Sequence, residues 1–320
     1  MLRSLLIYLS TASWARQLVT RWKFAWRAAS RFIAGEKLED AIRVVSELNA
    51  KGINATLDHL GEHTTSVEKA NQATEDILAI FDAIQESGVR SNVSVKLTQI
   101  GLAVDERVCE ENLMRILRKS KEYNTFLRID IEDATVVDKT LGIFRKARQV
   151  CGCENVGQAI QAYLYRSEKD IDELMKEQAR IRLCKGAYKE PDDVAYPKKA
   201  DVDASFDRLT IALIDGSIAA GAPVLSQDGR LPPIPAIASH DEKRIAFAKA
   251  YVAKTGLPQR AIEFQMLNGI RRDLQEQLVA EGYPVRVYVP YGTEWYPYYV
   301  RRLAERPANI WFFVSNFFRR

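Results

Sequence analysis

From residue 36 onward the chain alternates in a regular way. Short apolar or β-branched runs are followed by longer stretches in which apolar residues recur with a period near 3.6, the signature of a strand followed by an amphipathic helix. The pattern predicts eight strands, at Asn54–Asp58, Val93–Leu97, Phe126–Asp130, Ala159–Tyr163, Ile181–Leu183, Ile234–Ser239, Ala261–Met266 and Val285–Val289. Helices are predicted near 66–87, 106–123, 133–150, 168–178, 202–220, 241–255, 269–281 and 294–305. Eight consecutive βα units read as a closed parallel barrel, because parallel strands need crossover helices and closure removes sheet edges. No strand is followed by G-x-G-x-x-G, which argues against an open dinucleotide-binding sheet. Asp133 is a candidate helix cap, and Gly256 with Pro258 and Gly282 with Pro284 are candidate helix stops.

Residues 1–35 depart from this pattern. They carry six of the 46 basic residues (Arg3, Arg16, Arg21, Lys23, Arg27, Arg31) and no acidic one. The rest holds 40 basic against 42 acidic residues, so the near-neutral body does not present a nucleic-acid-binding surface by charge. The N-terminal segment reads as basic amphipathic helices that lie on a membrane surface or pack on the body, two alternatives the pattern leaves open. No run reaches the ~20 apolar residues needed to span a bilayer. The four cysteines form no paired CxxC set, and Cys151-Gly-Cys153 is too isolated for a zinc site, so no metal is expected. With 47% apolar and 28% charged residues, the 320-residue chain can bury one large core. The expected organisation is a helical segment over 1–35 and a barrel over 36–320.

Barrel enzymes build their sites at the C-terminal ends of the strands. There the sequence sets Asp58 and Glu62 after strand 1, Lys96 and Gln99 on strand 2, and Arg128, Asp130, Glu132 and Asp133 on strand 3. Gln161 and Tyr163 follow on strand 4, Arg182, Lys185 and Tyr188 on strand 5, and Ser239-His240-Asp241 on strand 6. Strand 7 ends at Gln265 to Asn268 and strand 8 at Tyr288, with Arg301 and Arg302 on the last helix. Cations kept from water need anionic partners, so this ring calls for protein acids, an acidic ligand, or both. Singly, each group has a plainer reading. Lys96 can pair with Asp130 inside the barrel, His240 can sit at a helix N-terminus, Arg301-Arg302 can be a solvated helix face, and the tyrosines can be core aromatics. Recurrence at nearly every strand end favours a site.

Nine stretches, in order, resemble the proline dehydrogenase family. They include Thr56-Leu-Asp-His-Leu-Gly-Glu62, Val93-Ser-Val-Lys-Leu-Thr98, Leu127-Arg-Ile-Asp-Ile-Glu-Asp133, Gln161-Ala-Tyr163 and Arg182-Leu-Cys-Lys-Gly-Ala-Tyr188. The others are Ala238-Ser-His-Asp241, Glu263-Phe-Gln-Met-Leu267, Tyr288-Val-Pro-Tyr-Gly292 and Tyr299-Val-Arg-Arg-Leu-Ala-Glu305. The resemblance, to the monofunctional bacterial form, implies a distorted (β/α)8 barrel that binds FAD. It implies oxidation of L-proline to Δ1-pyrroline-5-carboxylate by hydride transfer from C5 to the flavin, with electrons passed to a membrane quinone. It makes Lys96, Arg301 and Arg302 a carboxylate clamp, and Tyr188, Leu267 and Tyr288 the walls around the substrate ring. FAD contacts are implied at Asp130, Ala159, Gln161, Arg182, Cys184, Lys185, Gly186, Ala187, Ser239, His240, Gln265 and Glu305. Glu62 resembles a gate residue that pairs with Arg301. Quinone use fits a cytoplasmic protein held on the inner face of the membrane by its N-terminal segment. Asn268, Ser239 and Lys189 depart from residues common in the family, near the expected cofactor. The rival chemistry is a Schiff-base aldolase or lyase with Lys96 as nucleophile.

Overall fold

The computed structural model describes residues 23–151 and 154–305, together with Ala12, Trp14, Ala15 and Val19. Most of the 1–35 segment, Cys153 and the side chains of Cys151 and Glu305 therefore lie outside the described residues. Eight parallel strands close into a barrel in sequence order. They are β1 (Asn54–His59), β2 (Ser91–Val95), β3 (Leu127–Ile129), β4 (Val156–Gln161), β5 (Arg180–Cys184), β6 (Pro235–Ala238), β7 (Glu263–Leu267) and β8 (Val285–Tyr291). All eight predicted strands are present. β1 pairs with both β2 and β8, in register Leu57↔Val93 and Thr56↔Tyr288, which completes the ring.

Ten α-helices are described. Two short ones precede the barrel: α1 (Lys23–Ala29) and α2 (Leu38–Ala50). The crossovers are α3 (Val67–Ser87), α4 (Glu106–Glu122), α5 (Val137–Cys151), α6 (Ser167–Lys176), α7 (Lys199–Ala219), α8 (Glu242–Thr255) and α9 (Arg272–Ala280), and α10 (Trp295–Glu305) follows β8. Their ends obey local chemistry. Ser66 and Asp105 accept hydrogen bonds from the first-turn amides of α3 and α4, and Asp133 accepts from Thr135 N–H at the 3-10 turn that leads into α5. Gly256 ends α8 in the left-handed region, at φ +71°.

The last helix does not take the outer position of the eighth barrel helix. α2 packs there, against β1 and β8. α10 instead joins α1 in a second apolar cluster, built from Ala25, Ala28, Phe32, Trp295, Tyr299 and their neighbours. Trp26 meets Trp295 edge-on at 5.4 Å. Ala15 is buried in the same cluster, whereas Trp14 beside it is 57% exposed. The segment that leaves α1 is tied to the strand ends: Ala34 N–H donates to Pro290 O, and Gly292 N–H to Gly35 O. This docking brings Arg301 to the end of the barrel where the strands finish, against Glu62 in the loop after β1.

The barrel interior is polar. A barrel of this kind is ordinarily filled by branched apolar side chains. Here Leu57, Val93, Val95, Ile129 and Val287 face the helices within the main apolar core. The alternate positions Asp58, Ser94, Arg128, Asp130, Arg182, Glu263, Gln265, Arg286 and Tyr288 are buried or nearly so, and they bond to one another or to backbone oxygens across the barrel axis. Gly157 lacks a side chain because Arg128 fills its place: a Cβ there would lie 2.5 Å from the Arg128 guanidinium.

Candidate active site

Lys96 follows β2 directly and projects into the barrel mouth. Its Nζ lies 3.1 and 3.4 Å from the Asp58 carboxylate oxygens, 3.4 Å from Asp130 Oδ2 and 3.3 Å from the Tyr288 hydroxyl. Asp130 is the hub beneath it. It accepts from Arg182 at 2.6 Å, from the Tyr288 hydroxyl at 2.7 Å and from Ser94 at 2.7 Å. Arg182 also donates to Gln265 Oε1 at 2.6 Å. Gln265 passes a hydrogen bond to Glu263, which accepts in turn from Arg286. A continuous polar column thus runs from the mouth to the floor of the barrel.

Burial and charge set the protonation of this group. Burial pushes Asp130 upward, but Arg182, Lys96 and the Tyr288 hydroxyl outweigh it and leave the carboxyl below its ordinary range. Burial also pushes Lys96 down, yet Asp58, Tyr288 and Asp130 together hold its ammonium well above the usual value. A lysine so firmly protonated is a poor amine nucleophile, which weighs against Schiff-base chemistry at Lys96. Burial, reinforced by Asp130, raises the Tyr288 phenol, so it stays a neutral hydrogen-bond donor.

The upper rim is closed by an ion pair. Arg301 donates to both oxygens of Glu62, at 2.9 and 2.6 Å, a bidentate geometry that joins α10 to the loop after β1. Burial disfavours the Arg301 charge, but Glu62 more than compensates and raises its pKa. Burial, reinforced by the Glu62 and Glu132 carboxylates, pushes the Tyr188 phenol well up. Arg302 stacks over the Tyr298 ring at 5.1 Å. Leu267 lies beside Tyr288 in the β7–β8 register, and both are partly exposed at the mouth.

The β4–β7 residues form the other side of the opening. Gln161 donates to Glu132 O and accepts from the Ala187 N–H, and Cys184 lies against Ile160 O. Residues 184 to 188 and Ala238 are partly exposed around the opening, and Ala159 is a small buried neighbour on β4. Gly186 sits at φ +122°, and a Cβ there would come within 2.4 Å of the Tyr163 ring. The glycine thus seats Tyr163 as well as thinning the rim. The Lys185 ammonium is held by Asp203 and Asp241, from α7 and the cap of α8. His240 Nε2 accepts from Leu267 N–H at 2.9 Å, and Ser239 Oγ accepts from Asp241 N–H at 3.1 Å. Asn268 donates to Phe32 O and so anchors the N-terminal segment.

Several participants were not singled out in the sequence. Ser94, Glu263 and Arg286 complete the column, and Thr98 donates its amide and hydroxyl to Glu132, fastening β2 to β3. The period-2 alternation on each strand was the available signal, because these residues share the inward parity of Lys96, Asp130, Gln265 and Tyr288.

Comparison with known proteins adds an independent line. Residues 41–314 match the proline dehydrogenase family. The chain is 43% identical to a proline dehydrogenase from Deinococcus radiodurans, over 91% of this chain and 90% of that one. It is 39% identical to proline dehydrogenase 1 from Bacillus subtilis over the full length of both. Among solved structures it resembles proline utilization A from Bdellovibrio bacteriovorus, inactivated by N-propargylglycine, with TM-score 0.79 and 25% identity. That likeness covers 88% of this chain and 33% of the larger one.

Proposed function

The chain belongs to the proline dehydrogenase family and is an oxidoreductase that acts on proline; from this premise we propose that it converts L-proline to Δ1-pyrroline-5-carboxylate at FAD, with a membrane quinone as the final oxidant. The observation that carries this reading is the Lys96 ammonium set at the strand ends among Asp58, Asp130 and Tyr288, with the Arg301 guanidinium of α10 brought to the same end by its pair with Glu62.

The residues fit a flavin. Small side chains at Ala159, Cys184, Ala187 and Ala238 stand beside the donors Arg182, Gln161 and Gln265. Such a set suits a planar group whose edge carries hydrogen-bond acceptors and which gains charge on reduction. Arg182, Gln161, Gln265, His240 and the rim at 184–187 would hold it, and when bound it supplies the two-electron acceptor. The protein's own part is positioning. Lys96, Arg301 and Arg302 take the substrate carboxylate by charge-assisted hydrogen bonds, each contributing roughly 1.5–3 kcal/mol. Tyr188, Leu267 and Tyr288 enclose the ring methylenes and exclude water, fixing C5 toward the acceptor. Arg301 keeps further guanidinium donors beside the two that hold Glu62, so the ion pair acts as a gate that closes over bound substrate.

The exposed Trp14 beside buried Ala15, next to Arg16 and Arg21, supports peripheral attachment to the inner face of the cytoplasmic membrane. Turnover of L-proline with a quinone dissolved in anionic lipid vesicles tests both parts. The protein should form one imine product per quinone reduced. Combining Trp14→Ala, Arg16→Gln and Arg21→Gln should slow that turnover while leaving reaction with a water-soluble quinone unchanged. No reduction of either quinone would overturn the acceptor, and an equal rate on vesicles would overturn the anchoring role.

A further inference from the structure

We propose that Asp58 takes up a proton when a carboxylate ligand binds at Lys96, so that filling of this site is coupled to protonation of a buried acid one layer below it. The inference rests on the reading of the mouth as a carboxylate site. Its basis is a count of partners. Lys96 offers one ammonium, and it already lies between two carboxylates, with Asp58 Oδ1 at 3.1 Å and Asp130 Oδ2 at 3.4 Å, and against the Tyr288 hydroxyl at 3.3 Å. A ligand carboxylate would be the third anion on one cation, in a place where Asp58 is wholly buried. Two buried like charges that close do not both stay ionised once the shared cation is drawn away.

The two acids are not equivalent. Asp130 also holds Arg182, Ser94 and the Tyr288 hydroxyl, all at 2.6 to 2.7 Å. Asp58 depends mainly on Lys96. The groups facing it are Lys96 from β2, Asp130 from β3 and Tyr288 and Tyr291 from β8, with Glu62 and Arg301 above; His59 on its own strand turns toward Asp76 of α3. Burial raises the Asp58 carboxyl to about 6, against the pull of Lys96 and with help from Asp130, so it is ionised at neutral pH but close to accepting a proton. Drawing Lys96 toward a ligand raises it further.

The sign follows by linkage. Below about pH 6 Asp58 already carries its proton and binding takes up none; above it, and up to the raised value of the ligand-bound state, each ligand bound takes up close to one proton and affinity falls about tenfold per pH unit. With proline itself the ring ammonium has to lose one proton before hydride leaves C5. That proton matches the one Asp58 accepts: the ammonium becomes a neutral amine and the carboxylate a carboxylic acid.

Calorimetric titration of the flavin-loaded protein in buffers of different ionisation enthalpy reads the coupling directly. The probe is tetrahydrofuran-2-carboxylate, which has an ether oxygen in place of the amine and so can neither supply a proton nor be oxidised. At about pH 7.5 the unmodified protein should take up close to one proton per ligand, and its affinity should weaken with rising pH. Asp58→Asn should bind the probe without uptake and with a flat pH profile. Glu62→Gln, which removes the acid at the rim, should keep the uptake. Binding without uptake in the unmodified protein, uptake that persists in Asp58→Asn, or uptake that vanishes in Glu62→Gln would each overturn the proposal. No binding at all would instead overturn the carboxylate reading beneath it.

Discussion

Replacing Lys96 by Met should raise the apparent Kd for L-proline roughly 100- to 1,000-fold, a loss of about 3–4 kcal/mol. Met keeps the length of the side chain and removes its charge, so the change isolates the ammonium. Two effects compound. The substrate loses one charge-assisted partner, and Asp58 and Asp130 are left with no cation between them in a buried site. Removing one partner of a buried ion pair typically costs about 3–5 kcal/mol of stability, although protonation of Asp58 can offset part of that here. Steady-state kinetics and thermal unfolding on the same preparation separate the two effects. Flavin content should change little, because Arg182, Gln161 and Gln265 keep their partners. An unchanged KM would remove Lys96 from the clamp.

Arg301→Ala should weaken proline binding by roughly 2–4 kcal/mol, or about 30- to 1,000-fold. The guanidinium is the part of α10 that reaches across to the loop after β1, and its bidentate grip on Glu62 closes the mouth. Its loss takes away both a substrate donor and the closure that excludes water. Glu62→Ala separates these roles, since it opens the gate but leaves Arg301 for the substrate. Its expected cost is about 1–2 kcal/mol. Equal losses in the two variants, measured as kcat/KM for L-proline, would mean that Arg301 acts only through Glu62.

The repeat of strands and helices was legible because each strand is an apolar run and each crossover keeps its helical period. Boundaries were less so. β2 runs Ser91–Val95 where the sequence suggests Val93–Leu97, because the apolar run continues into a buried turn: Leu97 O accepts from Ile100 and Leu102. β4 runs Val156–Gln161 where the sequence suggests Ala159–Tyr163, and it includes Gly157, whose side-chain space Arg128 fills. α2 was missed, having no strand before it, and it takes the outer position that the pattern would give to α10.

For the site, parity on a strand is local and partnership is not. Lys96 and Asp130 could be chosen as charged residues at strand ends. That Asp58 stands closer to Lys96 than Asp130 does depends on β1–β2 register and barrel closure. The same holds for Lys185, whose partners Asp203 and Asp241 come from two helices, and for Asn268, which ties down Phe32. The Glu62–Arg301 pair was the exception. The resemblance supplied it, and the geometry brings the two side chains together.

The central claim is that cations from β2 and α10 seat proline beside a flavin in the barrel mouth. Anaerobic addition of L-proline to the purified protein, followed by absorbance, tests it most directly. The expected result is a yellow protein whose flavin band bleaches in full with L-proline, with bleaching shifted to much higher proline concentration in Lys96→Met. A colourless protein that binds no added FAD, or a flavin band that L-proline leaves unchanged at saturating concentration, would contradict it.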